Sequence, residues 1–173
     1  MLIHTMRQKQ TRFLRALGLA AVLICRGNAE AQGRHPVSGR QIAGVMGAGG
    51  ANWLVRPERE MEEEPDKALG LIGIEAGQTV ADIGAGVGYF TLRMARLVGP
   101  AGRVYATDIQ PEMLRLLRKR MERDGVDHIE PVLGTVEDPK LPAGRIDLAL
   151  LVDVYHEFSE PQKMLAEIGR AHV

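Results

Sequence analysis

The sequence has little cysteine, no net charge and no long apolar run, and each shortage excludes a class of protein. Its single cysteine, Cys25, rules out an internal disulfide and a cysteine-based metal cluster. The 22 basic side chains are balanced by 22 acidic ones, and the part after residue 31 is mildly acidic, so no nucleic-acid partner is expected. No apolar run reaches the roughly 20 residues that cross a bilayer, which argues against a transmembrane span. The 173 residues are enough for one domain with a hydrophobic core.

The N-terminus has the pattern of an export signal. Basic residues at positions 7, 9, 12 and 15 precede an apolar stretch over 16–25, and Ala29 and Ala31 form a small-x-small pair. This order is typical of a signal peptide that is cleaved after Ala31. We therefore predict that residues 1–31 are a signal peptide and that the protein is exported or periplasmic. The alternative is a cytoplasmic protein with a loose N-terminal arm.

The rest of the chain divides into a glycine-rich linker or arm over 32–56 and a domain over 57–173. Within the domain, strand-like and helical patterns alternate. Strands are predicted over 78–83, 102–109, 128–134 and 145–154, and helices over 89–99, 111–125 and 160–171. Such alternation predicts a doubly wound α/β fold, in which a parallel sheet carries helices on both faces. The continuously apolar stretch 147–152 is predicted to be the central strand.

A glycine-rich loop follows the first predicted strand, in the string "ADIGAGVGYF" over 81–90. Gly84 is suited to a tight turn, Gly86 to a close approach of the backbone to a ligand, and Gly88 to close helix–strand packing. In open parallel sheets, ligands bind beyond the carboxyl ends of the strands. The loop is therefore a candidate cradle for an anionic or polar group.

A carboxylate at the end of the second predicted strand strengthens this interpretation. Asp108 lies 20 residues after Gly88, where an acidic side chain can accept hydrogen bonds from both hydroxyls of a ribose. The alternative role for Asp108 is to cap the helix that begins at Pro111. Together, the loop and the carboxylate predict a cofactor that contains a nucleoside.

Three blocks resemble the class I S-adenosylmethionine-dependent methyltransferases. They are "VADIGAGVGYF", "VYATDIQPEML" and "RIDLALLVDVYHEF", which occur in that family's order between residues 66 and 168. The layout is similar to the small-molecule and quinone-type enzymes of the family, with a weaker likeness to the protein-isoaspartate repair enzymes. The resemblance implies a Rossmann-like fold and S-adenosyl-L-methionine as cofactor.

The resemblance also implies roles for individual residues. The methionine portion of the cofactor would be held by Asp82 and by the backbone of Gly84, Ala85, Gly86 and Gly88. Asp108 would bind the ribose and Ile109 would lie against the adenine. Val136 would offer its backbone to the adenine edge, where Thr135 replaces the acidic residue of many relatives. Asp153, after the fourth strand, would face the amino-acid end of the cofactor and the acceptor, or would simply cap the turn that follows.

Methyl transfer from a sulfonium is an in-line displacement, so the protein mainly aligns the reacting atoms. A general base is needed only where the acceptor must lose a proton. His156 lies just past the fourth predicted strand and is the candidate base, with a hydrogen-bonded structural histidine as the alternative. The acceptor is expected to be a small molecule, and the sequence does not indicate an oligomeric state.

The C-terminal end differs from the family pattern. Relatives continue with further strands after the helix that begins near Glu160, whereas this sequence stops at Val173. We therefore expect a sheet that lacks the final strands of the family fold. Two alternatives to an active methyltransferase stay open: a non-catalytic cofactor-binding domain, and a nicotinamide-dependent oxidoreductase, which the glycine spacing disfavours.

Overall fold

Strands and helices alternate along the chain as their hydrophobic periods predict. The computed structural model describes residues 33–172, so the predicted signal peptide over 1–31 lies outside the described residues and stays a prediction. The helices are α1 (Arg59–Glu63), α2 (Pro65–Ile72), α3 (Thr91–Val98), α4 (Pro111–Asp124) and α5 (Pro161–Ala171). The strands are β1 (Thr79–Ile83), β2 (Arg103–Asp108), β3 (Ile129–Leu133) and β4 (Leu148–Leu151).

The four strands form one parallel sheet in the order β3-β2-β1-β4. The strand order reverses between β1 and β4, which makes this point of the carboxyl edge the expected ligand position. The prediction that 147–152 is the central strand was wrong. Within residues 33–172, β4 pairs with β1 alone, and its four residues are all partly exposed. β1 and β2 each lie between two strands and are more deeply buried. An apolar run signals burial on both faces and carries no information about strand order.

Helices cover both faces of the sheet, which confirms the predicted fold class. On one face, Val80, Val104 and Ala106 pack against side chains of α2, α3 and α4, including the buried Leu69, Met94 and Leu117. On the other face, Ala81 and Ile83 pack against Met164 and Ala171 of α5. Even-numbered residues of β1 and β2 thus face one side of the sheet and odd-numbered residues of β1 face the other, because successive side chains of a strand point to opposite faces.

The helix boundaries agree with the stop and start residues in the sequence. α4 begins with Pro111, whose fixed φ suits the first turn, and ends before Gly125, which has a φ of 66°. Pro131 lies in β3, at the edge of the sheet, where proline is tolerated. After α5, His172 forms a parallel bridge to Ile146 just before β4.

The segment predicted as a linker or arm lies against the domain. Residues 33–56 contain two short 3₁₀ helices, Ala48–Gly50 and Trp53–Val55, and contact the loops at the carboxyl edge of the sheet. Within residues 33–172, no helix combines the length and the apolar character that crossing a membrane requires. In the same range, no three histidine, cysteine or acidic side chains are grouped so that they could hold a metal ion.

Candidate functional site

The glycine loop after β1 is fixed to the end of β2 by its own backbone. The amides of Gly84 and Ala85 both donate to the carbonyl of Thr107, with N–O distances of 2.9 and 3.0 Å. The next residue, Gly86, donates its amide to Oδ2 of Asp108 at 2.8 Å. Three consecutive amides therefore hold the loop in one conformation at the carboxyl edge of the sheet.

Two of the glycines are required by close packing as well as by backbone conformation. Gly84 has a φ of 73°, and a Cβ atom there would overlap Val154 Cγ2, in the loop after β4. Gly88 has a φ of 83°, and its Cβ would overlap Leu117 Cδ1 on α4. Gly88 therefore allows close packing against α4. Gly84 has a role beyond its turn, because it lets the loops after β1 and β4 approach each other.

Asp108 lies at the end of β2, beside the glycine loop. Its side chain is buried, and its two oxygens accept one amide each, from Gly86 and from Gln110, both at 2.8 Å. Burial raises the pKa of Asp108, and the two amide hydrogen bonds oppose that rise. Because each carboxylate oxygen has a second lone pair, Asp108 can still accept hydrogen bonds from two hydroxyl groups. The Gln110 contact also supports the alternative role at the start of α4, and one carboxylate can serve both.

Asp82 is the second buried carboxylate of the site. It is 4% exposed in β1, and its Oδ2 accepts the hydroxyl of Thr91, at the start of α3, at 2.6 Å. Burial raises the pKa of Asp82 to about 6; the Thr91 hydrogen bond opposes this shift and the charge of Asp108 adds to it. A buried carboxylate of this kind can pair with a cationic group such as the ammonium of an amino acid.

The loops after β2 and β3 supply the residues implied for the adenine. Ile109 and Val136 are exposed, with 36% and 47% of their surface accessible, so their apolar surface is available to a flat ring. The hydroxyl oxygen of Thr135 accepts the amides of Glu137 and Asp138 at 3.3 and 3.1 Å. This side chain therefore stabilises its own turn, and a contact to adenine would be additional to that role.

Asp153 and His156, for which the resemblance implies roles on the β4 side, are both exposed. The backbone conformation of Asp153 is unusual. Asp153 has a φ of 50°, in the left-handed region that residues other than glycine rarely adopt. His156 lies in the 3₁₀ helix Tyr155–Glu157 with an exposed side chain. Glu157 is half-buried, and burial raises its pKa. Strain of this kind is often found at functional sites, which is consistent with the role implied for Asp153.

Sequence reasoning missed the segment that covers these loops. Residues 40–46, which we call the strap, are bound to the β4 side by Arg40, which donates to the carbonyls of Tyr155 and His156 at 2.8 and 2.9 Å. The amide of Ala43 also donates to the carbonyl of His156, at 2.9 Å. The available signal was small: three large apolar residues, at positions 42, 45 and 46, in a glycine-rich stretch.

Residues 54 and 55, which follow the strap in the chain, cover the glycine loop. Leu54 Cδ1 lies 3.1 Å from the position of a Cβ atom on Gly86. The Leu54 carbonyl accepts the guanidinium of Arg59 at 2.6 Å, and Arg59 is buried over the ring of Tyr89. Leu54 and Val55 also pack against Val87 and Met113, so this segment is continuous with the core beneath the loop.

The residues present fit S-adenosylmethionine. The fixed glycine loop suits the amino-acid portion of this cofactor. The buried carboxylate at the end of β2 suits its ribose, and the apolar residue beside that carboxylate suits its adenine. The structure brings Asp82, Gly84, Ala85, Gly86, Gly88, Asp108 and Ile109 together on the β1 and β2 side. Thr135 and Val136 follow β3, and Gly134 donates its amide to the Asp108 carbonyl at 3.0 Å. Asp153 and His156 follow β4, across the point where strand order reverses.

Comparisons with known proteins agree with this geometry. The model of the family described as "Methyltransferase domain" matches residues 80–172, which is more than half of the chain. A solved S-adenosylmethionine-dependent methyltransferase from Aquifex aeolicus superposes with a TM-score of 0.71 at 30% identity. That match covers 74% of this chain and 68% of the other.

Two curated relatives match part of the chain. The ubiquinone/menaquinone biosynthesis C-methyltransferase UbiE of Hahella chejuensis is 32% identical over 99 residues, which are 57% of this chain and 40% of that protein. A protein-L-isoaspartate O-methyltransferase of Methanothrix thermoacetophila is 36% identical over 64 residues, which are 37% of this chain and 30% of that protein. The chain thus spans less than half the length of these relatives. By its family match, its fold and the geometry of its glycine loop, the chain belongs to the class I S-adenosylmethionine-dependent methyltransferases.

Proposed function

We propose that the protein transfers a methyl group from S-adenosylmethionine to a small-molecule acceptor. The observation that carries the proposal is the contact between Asp108 and Gly86, which joins the carboxylate implied for the ribose to the loop implied for the amino-acid portion. A nicotinamide-dependent oxidoreductase is disfavoured by the family match. The UbiE name gives quinone precursors as the first acceptors to test.

The chain's own residues would bind and align the reactants. The bound cofactor supplies an activated methyl group, whose sulfonium makes it a good electrophile. Asp82 would pair with the ammonium of its amino-acid portion, and the fixed loop would set the direction of the methyl group. Since the donor is activated already, alignment would provide most of the acceleration.

His156 is the proposed general base, where the acceptor must lose a proton. Its exposed side chain stands in the loop after β4, and its own carbonyl is held by Arg40 and Ala43 of the strap. We expect His156→Gln to lower turnover by about a hundredfold or more, in line with the usual contribution of a general base. Binding of S-adenosylhomocysteine should be unchanged, and unchanged turnover would remove His156 from this role.

The cofactor site is tested by calorimetry with S-adenosylhomocysteine on the full chain. Asp108→Ala should weaken binding by about a hundredfold, because two hydrogen bonds to a charged group are lost. The matched control is Asp127→Ala, since the side chain of Asp127 is fully exposed. A folded protein that binds no S-adenosylhomocysteine would refute the site. Binding without turnover on a panel of acceptors would instead favour the non-catalytic alternative.

We also propose export, on the pattern of residues 1–31. Expression of the full gene followed by N-terminal sequencing of the mature protein tests it. A new N-terminus at Gln32 is expected, and an intact Met1 in the cytoplasmic fraction would contradict it.

A further inference from the structure

Arg59 is the one basic residue that is buried within residues 33–172, with 6% of its surface exposed. It lies in α1, and its guanidinium contacts a carboxylate, a carbonyl and an aromatic ring. Nε and Nη2 donate to the two carboxylate oxygens of Glu63 at 2.6 and 2.8 Å, and Nη1 donates to the Leu54 carbonyl at 2.6 Å. The guanidinium carbon lies 4.1 Å from the centre of the Tyr89 ring. A buried guanidinium with these partners is held in one orientation.

These contacts join the segment before α1 to the end of the glycine loop. Leu54 belongs to the 3₁₀ helix Trp53–Val55, and Tyr89 directly follows the last glycine of the loop. Because Glu63 lies in the same helix as Arg59, its two parallel bonds fix the direction in which Nη1 points. Arg59 therefore sets the position of Leu54 relative to the loop.

Leu54 lies against the glycine that binds Asp108. Its Cδ1 is 3.1 Å from the position of a Cβ atom on Gly86, and Gly86 is buried whereas Gly84, two residues earlier, is exposed. The Gly86 amide donates to Asp108 at 2.8 Å, and this hydrogen bond carries the proposed function. A hydrogen bond to a carboxylate is stronger where water is excluded. The Leu54 side chain is therefore placed to keep water from this bond.

We propose that Arg59 is a positioning residue of the cofactor site, and that it holds Leu54 over Gly86 to exclude water from the bond between Gly86 and Asp108. The proposal rests on the proposed function for the identity of the cofactor. Without Arg59, the Leu54 carbonyl loses this donor and the Leu54 side chain moves away from Gly86. Water then competes for Asp108, and the loop is less well fixed when the cofactor binds.

The first test is calorimetry with S-adenosylhomocysteine on the full chain. Arg59→Met, which removes the donors and the charge, should weaken binding about tenfold in protein that urea denaturation shows to be folded. Arg56→Met is the matched control, because Arg56 stacks on Trp53 and donates to its carbonyl at 3.1 Å, one residue before Leu54. It should leave the affinity unchanged. Equal losses in both variants would indicate a general loosening of this segment, and they would overturn the proposal, as would unchanged or tighter binding in Arg59→Met.

A double-mutant cycle tests whether Arg59 acts through Leu54. Leu54→Ala should weaken binding of S-adenosylhomocysteine to a similar extent. Arg59→Met should add little in that background, because the contact through which it acts is already lost. Losses that simply add would show that the two residues act independently, and would overturn the proposal.

Arg59→Lys separates position from charge. Burial raises the pKa of Asp82, and the charge of Arg59 is among the influences that oppose this rise, which gives that charge a second route to cofactor binding. Lysine keeps the charge but cannot form two parallel bonds to Glu63 and a third to Leu54. We therefore expect the affinity of Arg59→Lys to stay well below that of the wild type. Full recovery by lysine would show that the charge matters and the position does not.

Hydrogen exchange in the free protein tests the same contact without a cofactor. Arg59→Met should speed exchange at the Gly86 amide more than at the Gly84 amide, because Gly84 donates to Thr107 and lies against Val154. Should Arg59→Met fail to fold, Arg59→Lys is expected to show the same difference. Equal acceleration at both amides, or none, would overturn the proposal. If the folded wild-type chain binds no S-adenosylhomocysteine, the proposed function fails, and this measurement still decides whether Arg59 positions the cover of the loop.

Discussion

The two sides of the candidate site are built in different ways. On the β1 and β2 side, Asp82 and Asp108 are buried, and backbone amides of the glycine loop hold it to Thr107 and Asp108. On the β4 side, Asp153 and His156 are exposed, and their loop is bound by a segment more than a hundred residues earlier in the chain. One side is preorganised by a local motif, and the other depends on a distant contact.

The difference suggests that the buried side binds the cofactor and the exposed side binds the acceptor. A rigid, buried side suits a cofactor that is the same in every turnover, because its polar groups need fixed partners. An exposed side held by an added segment suits an acceptor and allows ligands to enter. The following variants test this division, and the largest expected effect comes first.

Gly84→Ala should destabilise the protein most, because Gly84 is where the loop after β1 contacts the loop after β4. The new Cβ would overlap Val154 and would require a left-handed alanine, so we expect a loss of about 4 kcal/mol in the free energy of unfolding. Urea denaturation measures it. Gly73→Ala is the matched control: its φ is 79°, but a Cβ there meets nothing within 4 Å. It should cost about 1 kcal/mol, and equal losses in both variants would contradict the close approach of the two loops.

Asp82→Asn should stabilise the protein at neutral pH. The pKa of Asp82 is raised to about 6 from a usual 3.8, so the folded state binds the proton more tightly than the unfolded state. Stability from this group is therefore present at low pH and is lost as the pH rises from about 4 to about 6. Above that range, the buried charge costs about 3 kcal/mol, which asparagine would avoid while still accepting the Thr91 hydroxyl.

The pH dependence separates this cause from a general packing effect. The gain from Asp82→Asn should shrink toward zero near pH 4, as urea denaturation at several pH values would show. Binding of S-adenosylhomocysteine at pH 7 should weaken at the same time, since the charged partner of its ammonium is gone. A gain that is equal at pH 4 and pH 7 would contradict the raised pKa.

Asp153→Gly tests whether the left-handed backbone of Asp153 costs stability and whether its carboxylate is needed for turnover. Glycine adopts a φ of 50° freely, so the variant should gain about 1 kcal/mol in thermal or urea unfolding. If Asp153 faces the reactants, turnover should fall although stability rises. Asp153→Asn, which tolerates the left-handed region, is the control for backbone strain. A destabilised glycine variant would show that the carboxylate, not the backbone, matters for folding.

Thr135→Asp should produce the smallest change. Aspartate can accept the Glu137 and Asp138 amides as threonine does, and its charge can strengthen a hydrogen bond from the adenine amino group. We expect S-adenosylhomocysteine to bind about threefold more tightly by calorimetry. Thr135→Val, which lacks the acceptor, should loosen the turn, and equal affinities of the two variants would place Thr135 outside the adenine site.

Much of the buried side could be predicted from sequence. The spacing between the glycines and Asp108 places both at one edge of the sheet, because consecutive parallel strands end at the same edge. Met94 in α3 and Leu114 and Leu117 in α4 stand at helical spacing in the sequence, and all three are buried. Leu97 lies three residues after Met94, at a spacing that would put both on one face of the helix, yet it is 40% exposed. The apolar pattern of 147–152 also did not give the position of β4 at the end of the strand order.

The sequence by itself determined the alternating elements and the composition of the cofactor loop, because hydrophobic period, proline and glycine act over a few neighbouring residues. Only the tertiary structure decided which strands are neighbours, that Gly84 faces Val154, and that residues 40–46 cross the site. Those contacts join parts of the chain far apart in sequence, so their existence depends on how all the layers pack. No local pattern carries that information.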